Sequence, residues 1–398
     1  MTITANLSSR RRRLSDLAAA GPIYLNNAAE GWPKAPGVAA AVGRALEGMP
    51  VEAGRGGAIG ADPIAACRQR VADLLGIPDA RRVVLTCGGT HALNLAIHGV
   101  GLRSNAIVVT TVMEHNSVLR PLFHLQQSGR ARVIMVGLDP GGGLDDAAFG
   151  QALRERPALV AITHASNVTG RINDVARWFE MAKESGAVTL LDAAQTAGQF
   201  AVQPLLCNAD LVAFPGHKGL HGPAGTGALY VAPALDLEQI LVGGTGRHSE
   251  SRRHPPAMPE RLEAGTPNGP GLAGLAAALA WHAGHGSTFR QGSRQAGEDL
   301  RDRLHAIPGV QSFHTAADGA AHVGVVSLQI AGWRVDELGQ VLRDSFGIVC
   351  RTGLHCAPLM HAAIGSAAEG TVRLSTSGFN TDAEIAAAVD AVGRLACA

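Results

Sequence analysis

Through the first two-thirds of the chain, apolar runs of strand length alternate with amphipathic stretches of helix length. No other feature narrows the possible folds as much. Segments such as ALVAIT (158–163) and AVTLLD (187–192) are apolar at every position or nearly so. A strand of that kind is buried on both faces, as in a parallel sheet with helices above and below. The expected strands are Arg82–Thr86, Ala106–Thr111, Arg132–Val136, Ala158–Thr163, Val188–Asp192, Asp210–Phe214 and Gly227–Val231. The expected helices between them are Pro63–Leu75, His91–Val100, Ser117–Gln127, Leu144–Arg154 and Asp174–Lys183. This order implies right-handed crossovers, and it puts ligand-binding loops at the carboxyl ends of the strands.

The pattern changes after about residue 270. Two alanine-rich helices, Gly271–Gly284 and Gln291–Ala306, lead to strands at Val323–Ile330 and Ile348–Arg351. A last helix begins near Thr381, whose hydroxyl followed by acids reads as an N-cap. The reading is a large α/β domain over residues 20–270 and a smaller α+β domain over 271–398, joined by residues 1–19.

The 398 residues carry a net charge of +1, so electrostatics make no case for a nucleic-acid or acidic-membrane partner. The basic run Arg10–Arg13 reads as a solvated helix start. The apolar stretch after it is too short for a signal peptide or a membrane span. A cytoplasmic protein is expected. The six cysteines form no CxxC pair and fit no zinc spacing. Five of them read as small core residues.

Cys356 differs. It lies in RTGLHCAP (351–358), between a glycine and a proline that argue for a loop. Arg351 and His355 would place positive charge beside it, a setting that favours a thiolate. Arg351 fits a structural ion pair equally well. Asp192 ends one strand, and Lys218 follows just past the next. An acid and a lysine at neighbouring strand ends suit pyridoxal phosphate, which needs a lysine for its Schiff base and a carboxylate for its ring nitrogen. On spacing alone they fit a surface ion pair as well. Thr86–Thr90 is a strand-to-helix turn whose glycines, Gly89 among them, would let backbone N–H groups approach an anion. His115, Asn167 and Gln195 fall at the same sheet edge, and Arg373 offers the planar fork that suits a carboxylate.

Taken together, YLNNAA, GRGG, TCGGTHALN, EHNS, HASNVTG, DAAQ, GHKGLHGPAGTGALYV, EAGTPN, RTGLHC and VRLSTSGFNT resemble the class V aminotransferase family of fold-type I pyridoxal-phosphate enzymes. Within it they are most similar to the cysteine desulfurase and selenocysteine lyase branch. The resemblance implies a mostly parallel seven-stranded sheet, a homodimer, a cysteine or selenocysteine substrate and a sulfur acceptor. It implies Lys218 as the Schiff-base lysine and Asp192 at the ring nitrogen. His115 would stack on the ring and stand as the nearest general acid. Gln195 would bond the phenolic oxygen, and Thr90 and His217 would hold the phosphate. Asn167 and Arg373 would receive the substrate carboxylate, with Asn27 and Arg351 nearby, and Cys356 would attack sulfur. The implied activity is cysteine desulfuration, with selenocysteine lysis or amino-group transfer as alternatives. Asn26, Glu30, Ala58 and Pro215 depart from the family's usual residues. Pro215 stands where many relatives carry a hydroxyl that bonds the phosphate.

Overall fold

The computed structural model describes residues 21–48, 62–246, 250–313 and 321–397. The basic run Arg10–Arg13, the GRGG segment with Ala58, and the N-terminal turns assigned to the small domain lie outside the described residues.

Seven strands form the large sheet: β2 (Val83–Thr86), β3 (Ala106–Thr111), β4 (Ala131–Val136), β5 (Leu159–Thr163), β6 (Val188–Asp192), β7 (Leu211–Pro215) and β8 (Gly227–Val231), in the order β2-β8-β7-β6-β5-β3-β4. The β4-β3-β5-β6-β7 block is parallel, and β8 runs antiparallel to both β7 and β2. Every residue of β5, β7 and β8 is buried, as the apolar runs require. Two apolar layers cover the sheet. One holds Val71, Phe149, Phe179 and Leu275, and the other holds Leu93, Ile97, Leu122 and Leu125.

Helices α1 (Val38–Glu47), α2 (Pro63–Leu75), α3 (Gly89–Gly99), α4 (Asn116–Gln127), α5 (Asp146–Leu153) and α6 (Val175–Glu184) precede α7 (Gly269–His305). Helix α7 corrects the sequence reading. The two expected helices are one, unbroken through Gly284 and Gly286. Glycine weakens a helix interior, but tertiary packing overrides that preference here. Phe289 is buried in the middle of α7 and packs edge-on against His221 and His282. The helix also serves both cores: Leu272 and Leu275 pack in the large one, Leu300 and Leu304 in the small one.

The small core is built on a four-stranded sheet of β12 (Arg351–Gly353), β13 (Thr371–Ser375), β10 (Val325–Ile330) and β9 (Val310–Ser312). Helices α8 (Val335–Phe346) and α10 (Asp382–Ala396) complete it, whereas α9 (Pro358–Ala363) buries Met360 in the large core. Thr381 caps α10 in a full capping box with Glu384, as its sequence suggests. The segment read as one strand, Ile348–Arg351, is two. β11 (Ile348–Val349) pairs in parallel with β1 (Ile23–Tyr24), whereas Arg351 begins β12 against β13. Leu25, drawn with the large domain above, is buried in the small core.

The cysteines also need correction. Cys67 is buried, but Cys87 and Cys397 are exposed. Cys87 sits in the turn before α3 with its Sγ 3.5 Å from His91 Nδ1, and Cys397 caps the end of α10. Apolar neighbours in sequence do not bury a residue at a helix terminus.

Candidate active site

The carboxyl ends of β5, β6 and β7 bring the candidate residues together. Asp192 ends β6 and pairs in register with Thr163 at the end of β5. Its carboxylate is buried, and Oδ1 accepts from the Ala194 N–H at 2.9 Å. Burial raises its pKa, and the Ala194 bond and the Lys218 charge act in the opposite direction. Lys218 follows β7. Burial pushes its ammonium down to about 8, while Asp192 pulls it back up. The chain has three lysines. Lys34 pairs with Glu30 at 2.6 Å and Lys183 with Asp210 at 2.5 Å. Lys218 alone of the three has no ion-pair partner among the described residues. An amine with a depressed pKa and no competing partner is what a carbonyl cofactor requires.

His115 is the N-cap of α4. Its Nδ1 accepts from the Ser117 N–H at 3.0 Å. Burial pushes its pKa down to about 3, and the charges of Lys218, Arg351 and Arg373 add to that. The ring is therefore neutral and carries its proton on Nε2. It offers an N–H donor at neutral pH, and no charged acid. His217 is likewise held neutral by burial, at about 4, and its buried Nδ1 has no partner.

On the small-domain side, Arg373 is almost fully buried on β13. Its Nη1 donates to the Asn167 carbonyl at 3.0 Å, its Nη2 lies 3.5 Å from Asn26 Oδ1, and its Nε has no partner. Asn167 spends its amide on the loop: Nδ2 donates to the His355 carbonyl at 2.7 Å. Arg351 Nη2 lies 3.6 Å from Cys356 Sγ. The Cys356 carbonyl accepts from the Asn116 N–H at 2.7 Å, so the nucleophile loop is tied to the residue after His115. His355 and Cys356 both adopt left-handed backbone, with φ of 49° and 58°. Two adjacent non-glycine residues in that region store strain at the site of the thiol.

Burial and nearby arginine charge push His355 down to about 2, so it brings no positive charge to Cys356. That corrects the sequence reading: the charge beside the thiol comes from Arg351. Two further side chains are committed to structure. Gln195 Nε2 donates to the Ala28 carbonyl, and Asn27 bridges the Trp32 N–H and the Ser375 carbonyl. Glu30 is used by Lys34.

Sequence reading passed over Glu114. It is fully buried, with Oε1 accepting from Thr111 Oγ1 at 2.7 Å and from the Thr163 N–H at 3.0 Å, and with Oε2 unpartnered. Burial pushes its carboxyl up to about 8, and the Asp192 charge adds to the rise. A folded pKa above the ordinary 4.5 means that the Glu114 contribution to stability is fully present below pH 4.5 and is lost as pH rises from there to about 8. Glu114→Gln should remove this decline. Relative to wild type, its unfolding free energy should gain about 1.4 kcal/mol per pH unit at most across that window. Urea unfolding of the apoprotein at pH 5 and pH 7.5 measures it, and an identical pH slope in both proteins refutes the burial argument.

The fold and this cluster define a lysine-dependent carbonyl-cofactor enzyme. Residues 52–387 match the family model "Aminotransferase class-V", and the chain belongs to that family. Its enzymes depend on pyridoxal phosphate, and the free Lys218, the buried Asp192 and the unpartnered His217 Nδ1 fit that group. The chain is 33% identical to a probable cysteine desulfurase of Methanothermobacter thermautotrophicus, over 80% of each protein. It is 32% identical to the cysteine desulfurase CsdA of Escherichia coli, over 83% of this chain and 82% of that one. Among solved structures, the apo cysteine desulfurase of Thermococcus onnurineus superposes with a TM-score of 0.86 at 28% identity, covering 94% and 95% of the two chains. The crystal structure of CsdA, in its S-sulfonic acid form, gives 0.81 at 30% identity, covering 94% of each.

Proposed function

We propose that this protein is a cysteine desulfurase that takes sulfur from L-cysteine, releases L-alanine and holds the sulfur as a persulfide on Cys356. The observation that carries the reading is the Cys356 thiol, set 3.6 Å from the Arg351 guanidinium on a strained loop tied to Asn116 beside His115. Pyridoxal phosphate, held by Lys218, would supply an electron sink for the substrate α-carbon. Asp192 would face the cofactor's ring nitrogen with its carboxylate, and Arg373 would hold the substrate carboxylate with its planar fork. Lys218 Nζ, once the substrate amine has taken its place on the cofactor, would be a free amine of lowered pKa able to take the α-proton and later return one. His115 donates a hydrogen bond from Nε2 and keeps the substrate oriented. Cys356 Sγ bonds to the substrate sulfur while the carbon–sulfur bond breaks. The electron pair stays with the carbon fragment, which takes a proton and leaves as alanine.

Two further parts of the reading have support in exposed apolar groups. Ile240, Leu241 and Val242 are 40%, 49% and 65% exposed in a continuous run, which supports a homodimer that covers them. Leu354, exposed two residues before Cys356, supports docking of a sulfur acceptor at that loop. No helix among the described residues is long and apolar enough to cross a membrane, which is in keeping with a cytoplasmic enzyme.

Product analysis tests the activity. L-cysteine should yield alanine and, with a reducing thiol present, sulfide in equal amounts, and mass spectrometry should find an added sulfur on the Cys356 peptide. A keto acid acceptor turned into an amino acid, with no sulfide released, would make the protein a transaminase. Selenocysteine run in parallel ranks the two substrates.

A further inference from the structure

One residue at the phosphate end of the site has no role from any motif. Helices α3 and α4 start side by side, and neither first turn carries an acid. Thr90 Oγ1 and Ser117 Oγ, one from each first turn, lie 2.8 Å apart. The end of β7 supplies no hydroxyl: a Cβ on Gly89 would lie 3.1 Å from Pro215 Cδ, so a carbon ring faces the turn, and the Thr86 hydroxyl at the end of β2 is spent on the Gly88 carbonyl.

The protons can be assigned around this pair. His115 Nδ1 takes the Ser117 backbone N–H at 3.0 Å, which occupies its one lone pair. Ser117 Oγ also lies 3.0 Å from that nitrogen, but the nitrogen has no second lone pair to offer its proton. Either hydroxyl of the pair can donate by distance, and the filled Nδ1 directs the Ser117 proton toward Thr90 Oγ1. Thr90 then keeps its own proton for a third acceptor, at the point where two helix N-termini converge. A hydroxyl that accepts one hydrogen bond while donating another is the better donor.

We propose that Ser117 is a positioning residue for the cofactor phosphate, acting through Thr90 by orienting and strengthening the Thr90 hydroxyl toward a phosphate oxygen. This rests on the family's cofactor and adds a residue to its phosphate end. Pro215 offers no hydroxyl from β7, so in this chain the Thr90 hydroxyl, oriented by Ser117 from α4, carries more of the phosphate contact.

The test compares two aldehydes on the apoprotein, pyridoxal phosphate and pyridoxal, by equilibrium titration of absorbance. In Ser117→Ala the dissociation constant for pyridoxal phosphate should rise up to about tenfold, the size of one lost hydrogen bond that orients the phosphate donor. That for pyridoxal should stay within about twofold, because it has no phosphate to lose. Ser117→Thr, which keeps the hydroxyl, should restore wild-type affinity. Inorganic phosphate should compete with pyridoxal phosphate less well in Ser117→Ala than in wild type. Equal weakening for both aldehydes would make Ser117 merely structural and overturn the proposal, as would no weakening at all. A wild type that binds neither aldehyde would overturn the cofactor assignment itself, a result distinct from either.

Discussion

Replacing Cys356 by serine is expected to cut sulfur release from cysteine by on the order of a thousandfold or more while cofactor binding persists. A serine hydroxyl is not ionised near neutral pH and is a poor nucleophile toward sulfur. The rest of the site is untouched, because Lys218, Asp192 and Arg373 sit on other elements and the loop's tie to Asn116 is a backbone bond. The loss should be smaller with selenocysteine: a selenol ionises more readily than a thiol, and a carbon–selenium bond is weaker than a carbon–sulfur bond. Paired assays of sulfide and selenide release measure the contrast, with the absorbance of bound cofactor as the control. Unimpaired desulfuration in Cys356→Ser would remove Cys356 from the mechanism and bring amino-group transfer to the front.

Lys218→Ala is expected to abolish turnover to background, a fall on the order of ten-thousandfold, and to remove the visible absorbance of lysine-linked cofactor. The alternatives are few, because Lys34 and Lys183 are held by Glu30 and Asp210 and neither belongs to the Asp192 cluster. Borohydride reduction of the wild type should fix a pyridoxyl label on the Lys218 peptide alone. A label on Lys183 would show that the cofactor sits elsewhere. Circular dichroism should be unchanged in the variant, since removing an amine with no ion-pair partner breaks no folded-state contact of that kind.

The strands of the large sheet were legible because apolar runs repeat the same local signal at every residue. Ala106–Thr111, Val188–Asp192 and Gly227–Val231 end where the sequence places them. Asp192 and Lys218 followed from the same logic, since chemistry-bearing residues gather at strand carboxyl ends. Cys356 was legible from the loop residues around it, and the resemblance supplied its role.

The remainder depended on pairings between residues far apart in sequence. Helix α7 crosses two glycines because Phe289 finds His221 and Phe379 to pack on, and no local count of propensities contains those partners. Ile348–Arg351 divides between two sheets because Ile23 and Tyr24 arrive from the other end of the chain. Glu114 looks like an ordinary loop acid until Thr163, 49 residues away, closes over it. His355 looks like a charged neighbour of Cys356 until burial against Thr371 neutralises it. Ser117 gains its meaning only when two helices begin 2.8 Å apart at their hydroxyls. The sequence alone determined the strands of the large sheet and placed Asp192 and Lys218 at neighbouring strand ends, because periodicity and residue type are local. Only the tertiary structure decided burial, protonation and hydrogen-bond partners, because those depend on distances that the chain order does not contain.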